Sequence, residues 1–401
     1  MSSLKILRLV LAGLLFGLGL LGVFKVPIGL LWKPAVVATE WGHVVAVFPL
    51  LLLVWSLSAR GGGGSGRWIT VGLSAAASLL LLSSLGRALS YGKEAEARLA
   101  DAFPGVPLPA LPGAPARSAP VVLGDLLWAS FPKVTPTRHL YREIDGDSLY
   151  LDLYQREDAP RPQPIVVVIH GGSWNSGDST QLAWLNSYLA ARGLTVAAIN
   201  YRLAPRHIFP AQRDDALAAL AWLKENASRL GLDASRVAFL GRSAGGQLAL
   251  LAAYTAHDPA VRAAVALYAP SDLNWSWEHP TNPLVLDTPK TLREYLGGTP
   301  AEVKAQFDAA SAIDFIAPGS PMTLLIHGTR DELVLVEQSR RVERRLAEES
   351  VPHVLLELPW ATHGCDANPA GPGGQITTWA VERVLAAAFG SNNVSARRTA
   401  P

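Results

Sequence analysis

The chain has 401 residues, of which 49% are hydrophobic and only 17% are charged, and its mean hydropathy is positive. This composition excludes a disordered chain, and it is more apolar than the composition of an ordinary soluble enzyme. Lys and Arg (35) nearly balance Asp and Glu (33), so charge does not favour DNA, RNA or an acidic partner. The one cysteine, Cys365, excludes an intramolecular disulfide.

The first hundred residues contain three apolar segments with charges only at their edges. They are Leu9 to Phe24, Trp41 to Ala59 and Trp68 to Gly86. The second and third have the length that spans a bilayer, and the first reaches it if the flanking basic side chains snorkel to the headgroups. We therefore predict an all-α membrane region of three transmembrane helices over residues 1–100, with a tight turn at the glycine run Gly61 to Gly64.

Two other interpretations of these segments are weaker. The first segment lacks a convincing signal-peptide cleavage site, and none of the three has the charged face of a helix packed on a soluble core.

The positive-inside rule does not fix the topology, because basic residues flank both sides in nearly equal number. If the short basic N-terminus stays in the cytoplasm, three spans place the rest of the chain on the non-cytoplasmic face.

A proline-rich stretch predicts the next boundary. Six prolines lie between Phe103 and Pro120, which favours an extended linker over residues 101–120. Residues 121–390 alternate short apolar runs with helical patterns, as in a mostly parallel sheet with helices on both faces. Residues 391–401 are predicted to be a disordered tail.

Seven runs in residues 121–390 have the pattern of strands, and an Asp-Gly turn before the first of them predicts a leading hairpin. The predicted strands are Ser148 to Tyr154, Pro164 to Ile169, Thr195 to Asn200, Arg236 to Leu240, Ala263 to Tyr268, Met322 to Ile326 and Val354 to Leu358. The predicted helices are Gln181 to Ala191, Gln212 to Leu230, Gly246 to Thr255, Val336 to Glu349 and Thr377 to Phe389.

Reactive side chains follow three of these strands, where parallel sheets bind their ligands. After Leu240 comes Gly241-Arg242-Ser243-Ala244-Gly245, followed by an apolar helix. Gly-x-Ser-x-Gly between a strand and a helix is the nucleophile elbow, in which small residues permit a sharp turn that projects the serine above the sheet. We therefore predict Ser243 as a nucleophile.

A glycine pair follows the strand that ends at Ile169. It lies in His170-Gly171-Gly172-Ser173-Trp174, where the absence of side chains lets backbone N–H groups approach an oxyanion. The N–H groups of Gly171, Gly172 and Ala244 are the predicted oxyanion hole.

Two later strand ends supply an acid and a base. The order Ser243, Asp331, His363 is that of an α/β-hydrolase, with His363 as the base and Asp331 orienting it. Glu332 and Asp366 are the alternative acids. Among the other histidines, His170 and His327 are expected to stabilise turns and His43 to lie at a membrane interface, and the absence of a metal-ligand motif leads us to expect no metal.

Five separated motifs in this order resemble the α/β-hydrolases related to hormone-sensitive lipase and to the feruloyl and acetyl xylan esterases. The motifs are His170 to Trp174, Tyr201 to Pro205, Phe209 to Ala211, Gly241 to Gly246 and His327 to Asp331. The resemblance implies hydrolysis of carboxylic esters, often short-chain, without a cofactor. It also implies the roles of nucleophile for Ser243, acid for Asp331, base for His363 and oxyanion donors for Gly171, Gly172 and Ala244.

The chain departs from this pattern in two places. Ser173 and Trp174 stand where the lipase branch has a third glycine, which resembles the xylan esterase and kynurenine formamidase branches more closely. Arg242 precedes the nucleophile where the lipase branch often has an acid.

An insertion from Ser271 to Thr299 is interpreted either as a lid over an acyl pocket or as an inert surface excursion.

The function that these observations favour is a membrane-anchored serine carboxylesterase or lipase-like hydrolase with a small-molecule or lipid ester substrate. The same triad also serves an amidase, a formamidase, a peptidase or a transacylase, and a different class would be a non-catalytic binding module. The membrane helices are interpreted as a tether in preference to a lateral entry for lipid acyl chains, because a proline-rich linker follows them.

Overall fold

A computed structural model describes residues 3–58, 64–103, 111 and 117–390 of the chain. Most of the predicted linker 101–120, most of the predicted glycine turn and the whole predicted tail 391–401 lie outside the described residues.

An eight-stranded sheet forms the centre of the structure, with strand order β1-β2-β4-β3-β5-β6-β7-β8. Only the β1–β2 and β2–β4 pairs are antiparallel, and the other five pairs are parallel. The strands are β1 (Thr137–Ile144), β2 (Asp147–Tyr154), β3 (Gln163–Ile169), β4 (Thr195–Ile199), β5 (Leu232–Arg242), β6 (Val261–Leu267), β7 (Met322–Gly328) and β8 (His353–Leu358). Each predicted strand is present, because short β-branched and alanine-rich runs are suited to burial on both faces.

The predicted leading hairpin is β1–β2. Its turn is Asp145-Gly146, and both residues have a positive φ (53° and 79°), as the tight hairpin turn requires. The predicted mostly parallel sheet with one antiparallel end is therefore confirmed.

Helices pack on both faces of the sheet. They are α6 (Asp125–Trp128), α7 (Ala183–Ala190), α8 (Ala211–Glu225), α9 (Ala227–Leu230), α10 (Ala244–Thr255), α11 (Leu273–Glu278), α12 (Thr288–Leu296), α13 (Pro300–Ala310), α14 (Glu337–Glu348) and α15 (Pro372–Gly390), following α1 to α5 of the N-terminal region. The predicted long helix Gln212 to Leu230 is divided in two at Asn226, whose backbone is not helical.

The last helix begins at Pro372 and not at the predicted Thr377. Proline is tolerated in the first turn of a helix because it has no N–H group to leave unpaired. The next N–H group, of Gly373, donates to the carboxyl group of Glu40 at 2.8 Å. A side chain from the N-terminal region therefore completes the first turn of α15.

The N-terminal region consists of α1 (Ser3–Leu21), α2 (Trp32–Glu40), α3 (Gly42–Val45), α4 (Val47–Ser58) and α5 (Ser65–Ala102). By length and composition α1 and α5 could each cross a membrane, and a third crossing requires that Gly29–Glu40 and Gly42–Ser58, which are bent by 79°, count as one. The predicted span from Trp41 to Ala59 is occupied by α3 and α4, and the bend lies at its first residue, Trp41 (φ −114°, ψ 6°), so the third predicted crossing is not confirmed.

The C-terminal part of α5 belongs to the hydrophobic core on one face of the sheet. Ala88, Ala95 and Leu99 are buried there among side chains of the sheet and of α15. The ring of Tyr91 lies edge-on to Trp360, with centroids 6.1 Å apart. At 1.5 Å per residue α5 is about 57 Å long, so it extends well beyond a hydrocarbon layer and continues into this core.

A substitution at Gly42 tests the contact that packs the bend at Trp41 against α5. A Cβ atom at Gly42 would lie 2.4 Å from the Leu81 carbonyl oxygen, so Gly42→Ala must displace one helix backbone from the other. We expect a cost of about 1–3 kcal/mol, seen as a lower midpoint of thermal unfolding in detergent. Gly72→Ala, also in an N-terminal helix but with no atom within 4 Å, is the control and should not lower the midpoint. Equal midpoints for the two variants would show that the close approach is unimportant.

Candidate active site

The predicted elbow lies between the end of β5 and the start of α10. Ser243 has φ 52° and ψ −124°, a conformation that a residue with a side chain adopts only when its surroundings impose it. A Cβ atom would lie 2.0 Å from the Gly245 carbonyl oxygen if added at Gly241, and 2.2 Å from the Ile169 carbonyl oxygen if added at Gly245. The glycines on both sides of the serine are therefore required by close backbone packing.

Two of the predicted site residues meet the serine above the sheet. His363 Nε2 lies 3.0 Å from Ser243 Oγ, and His363 Nδ1 lies 2.6 Å from Asp331 Oδ2. His363 and Asp331 are buried, and Ser243 is half-buried. The three side chains thus form one hydrogen-bonded chain, although they lie at the ends of three different strands.

Asp331 is held on both of its carboxylate oxygens. Oδ1 accepts hydrogen bonds from the N–H groups of Leu333 and Val334, each at 2.9 Å. Burial would raise the pKa of Asp331, but the charge on His363 and hydrogen bonds from His327 and His363 lower the pKa below its usual range. The group is therefore an ionised carboxylate at neutral pH and can stabilise a charged His363.

The two alternative acids are engaged elsewhere. Glu332 forms an ion pair with Lys25 of the N-terminal region at 2.5 Å. Asp366 accepts from Arg242 Nε at 2.5 Å and from the Tyr268 hydroxyl at 2.6 Å. Asp331 is the carboxylate on His363 Nδ1.

Arg242, the unusual residue before the serine, contributes to the support of His363. It is buried and paired with Asp366, and this carboxylate also binds Tyr268. The Tyr268 ring packs against the His363 ring with centroids 4.5 Å apart. The chain Arg242–Asp366–Tyr268 therefore fixes one side of the imidazole.

One of the three predicted oxyanion donors is already hydrogen-bonded within the protein. The N–H group of Gly171 donates to Gln181 Oε1 at 2.8 Å, which counts against Gly171 as an oxyanion donor. Gly171 is a glycine for another reason, since a Cβ atom there would lie 2.8 Å from the Arg242 carbonyl oxygen. Gly172 has φ 124°, and Ser173, the next residue, lines the same pocket as Ser243 and Ala244.

His170 and His327 make hydrogen bonds within their own turns or to neighbouring elements. His170 Nδ1 lies 2.8 Å from the Gly171 carbonyl oxygen, its ring stacks on Tyr201 at 4.3 Å, and burial lowers its pKa. His327 Nδ1 lies 2.7 Å from Ser339 Oγ, and Nε2 lies 2.9 Å from the Val334 carbonyl oxygen. His327 thus supports the loop that carries Asp331.

A pocket opens beside Ser243 and His363, and the insertion after β6 forms one wall of it. The lining includes Ser173, Trp174, Ala244, Trp275, Thr281, Leu286, Leu292, Leu333, Val334 and Leu335. Tyr295 of the insertion stacks on Trp174 with centroids 4.1 Å apart, which anchors this wall to the oxyanion loop. The insertion predicted as either a lid or a surface excursion therefore shapes the pocket.

Comparisons with known proteins agree with this architecture. The BD-FAE family model matches residues 151–346. Esterase LipC of Mycobacterium tuberculosis is 35% identical over 246 residues, which cover 57% of this chain and 60% of that protein. LipM of the same organism is 32% identical over 286 residues, which cover 63% of this chain and 64% of that protein.

Among solved structures, a hyperthermophilic esterase from the archaeon Pyrobaculum calidifontis has a TM-score of 0.56 at 25% identity, covering 66% of this chain and 86% of that chain. The chain has the α/β-hydrolase fold and resembles the carboxylesterases related to hormone-sensitive lipase. The predicted α/β-hydrolase fold and the predicted resemblance are both confirmed. The chain spans less than two thirds of the length of LipC and of LipM.

Asp331 and its neighbour Glu332 provide a direct test of the acid. Asp331→Asn keeps the shape of the side chain but removes the charge that a charged His363 requires. We expect it to slow covalent labelling of Ser243 by a fluorophosphonate by about 10³–10⁴-fold, the size of effect known for a triad acid. Glu332→Gln is the matched control and should change the labelling rate by less than about tenfold. If Glu332→Gln slowed the labelling more than Asp331→Asn did, Glu332 would be the acid.

Proposed function

We propose that this hydrolase is a membrane-anchored serine carboxylesterase that acts through an acyl-enzyme. The observation that carries the proposal is the position of His363, with one ring nitrogen on Ser243 and the other on Asp331, beside the pocket. The name of esterase LipC, a relative at 35% identity, supports an ester as the substrate.

The first half-reaction transfers the acyl group to the serine. His363 Nε2 accepts the Ser243 hydroxyl proton as Oγ bonds to the ester carbonyl carbon, and Asp331 stabilises the resulting imidazolium. When the tetrahedral intermediate collapses, the bond to the alkoxy oxygen breaks and His363 returns its proton to the departing alcohol. The acyl group is then an ester of Ser243.

The second half-reaction uses water in the same geometry. His363 removes a proton from water as its oxygen bonds to the acyl carbon, and the proton then returns to Ser243 Oγ as the carboxylic acid leaves. One ester and one water thus give one acid and one alcohol, and the enzyme is restored.

Backbone N–H groups stabilise the negative oxygen of both tetrahedral intermediates. We assign this role to Gly172 and Ala244, with the N–H group of Ser173 in place of Gly171, whose N–H group is bonded to Gln181. Each donor of this kind contributes about 3 kcal/mol to the transition state.

The membrane anchor is α1, α5 and the bent pair between them. At the end of the bundle away from the sheet, Arg8 lies 3.9 Å over the Trp55 ring and Arg67 donates to the Leu57 carbonyl oxygen at 2.7 Å. At the other end, Arg330 of the hydrolase donates to the Gly22 carbonyl oxygen at 2.5 Å. The N-terminus and the sheet therefore lie at opposite ends of the bundle, and a cytoplasmic N-terminus places the active site on the non-cytoplasmic face.

Ester hydrolysis by the detergent-solubilised protein tests the proposal. We expect turnover of p-nitrophenyl esters in a series from acetate to palmitate, and a loss of about 10⁴-fold or more in Ser243→Ala because the nucleophile is removed. Ser235→Ala, an exposed serine at the opposite end of β5, is the control and should retain wild-type turnover.

Two results would contradict this function. Turnover that persists in Ser243→Ala would exclude the proposed nucleophile. Turnover of acyl amides or formamides with none of any ester would replace the esterase by an amidase that uses the same three residues.

A further inference from the structure

The segment that follows α1 contacts the active site at three places. Lys25 forms its ion pair with Glu332, the residue after Asp331. The N–H group of Gly29 donates to the Leu284 carbonyl oxygen at 2.8 Å, and the Trp32 indole N–H donates to the His363 carbonyl oxygen at 2.8 Å. The segment is thus bonded to the loops of the acid and the base and to the insertion.

Two of these contacts are made to residues that lie next to the pocket lining in the sequence. The insertion wall includes Thr281 and Leu286, on either side of Leu284, and the opposite wall is the loop that begins with Leu333 directly after Glu332. The segment between α1 and α2 therefore joins the two walls, and the pocket lies next to the place where α1 ends. A tether alone would not require this arrangement.

Large apolar side chains are exposed around these contacts. Leu284 is 69% exposed, and Phe24 and Leu30 of the segment are 62% and 83% exposed. We call these three side chains the apolar rim. Leucine and phenylalanine clustered at this exposure on a water-facing surface are unfavourable, so the rim requires a cover.

A bilayer is the cover that the neighbouring structure indicates. The rim continues directly from α1, whose Val10 and Leu14 are also exposed and whose composition suits a membrane span. Lys25 lies between Phe24 and Gly29, where an ammonium group can reach lipid headgroups or Glu332 while the apolar neighbours enter the acyl region.

We propose that the pocket receives its ester from the bilayer, across the apolar rim, and that the substrate class is a lipid ester. This inference rests on the proposed esterase function and adds the source and class of the substrate. The acyl chain leaves the lipid between Leu30 and Leu284 and enters between the two walls, where Leu286, Leu333 and Leu335 offer an apolar lining. Hydrolysis releases a fatty acid and an alcohol by the two half-reactions given above.

The test uses the full chain reconstituted in vesicles of ether-linked phosphatidylcholine, which an esterase cannot hydrolyse. Monooleoylglycerol in the same vesicles is the lipid substrate, and p-nitrophenyl butyrate added to the water is the soluble substrate. The readout is the ratio of the two turnover rates. We expect Leu284→Asp to lower this ratio by about tenfold or more, since the charge withdraws the rim from the bilayer.

Leu30→Asp changes the other side of the same rim and provides an independent variant if Leu284→Asp does not fold. Leu140→Asp is the control. Leu140 is 40% exposed, but it lies on β1, at the edge of the sheet opposite to the N-terminal helices. It should leave the ratio unchanged.

The outcomes separate this inference from the function on which it rests. Turnover of the soluble ester with none of monooleoylglycerol would overturn the inference and leave the esterase function intact, whereas turnover of neither would remove both. An unchanged ratio in Leu284→Asp and Leu30→Asp would also overturn the inference. A change in the particle mass in detergent with an unchanged ratio would assign the rim to contact with a second copy of the chain.

Discussion

The contact between the ends of β3 and β5 and the start of α10 is the constraint on which the site depends. At this point backbone packs on backbone, since a Cβ atom at Gly245 would lie 2.2 Å from the Ile169 carbonyl oxygen and one at Gly171 would lie 2.8 Å from the Arg242 carbonyl oxygen. The position of Ser243 Oγ relative to the loop that follows β3 is therefore set by the main chain. The serine is held in its positive-φ conformation by the packing around it.

The outer side of the turn that carries Asp331 contacts the N-terminal region. Arg330 and Glu332, the residues on either side of the acid, bind the Gly22 carbonyl oxygen and Lys25 of the N-terminal region. Desolvation by burial, followed by repulsion from Arg87, lowers the pKa of Arg330 to about 10, so its charge at neutral pH is kept. One short loop thus binds His363 on its inner side and the N-terminal region on its outer side.

Much of the sheet and of the proposed triad could be predicted from local pattern. Short β-branched runs identify strands wherever both faces are buried, and the glycines around Ser243 mark a turn that has no room for side chains. The choice between Asp331 and Glu332 depends on the opposite directions in which adjacent side chains point. In the structure Asp331 is hydrogen-bonded to His363, and Glu332 forms an ion pair with Lys25.

What the pattern missed depends on contacts between distant residues. The bend at Trp41 is set by the close approach of Gly42 to Leu81, and apolar composition does not record such an approach. The N–H group of Gly171 is bonded to Gln181, although the glycine pair itself gives no sign of this bond. Glu40 has the pattern of a charge at the edge of a membrane segment, yet it is buried against α15.

The bond between Glu40 and Gly373 has a consequence for the order of events during synthesis. The two residues are 333 positions apart, and Trp32 and His363 are 331 apart, so the N-terminal helices leave the ribosome long before the groups that they bind exist. Lys25, Trp32 and Glu40 therefore lack these partners until the sheet has been synthesised. The last helix, α15, is also the last element to be synthesised. A chain that stops before Pro372 would therefore contain Ser243, Asp331 and His363 but would leave the Glu40 carboxyl group without its Gly373 partner.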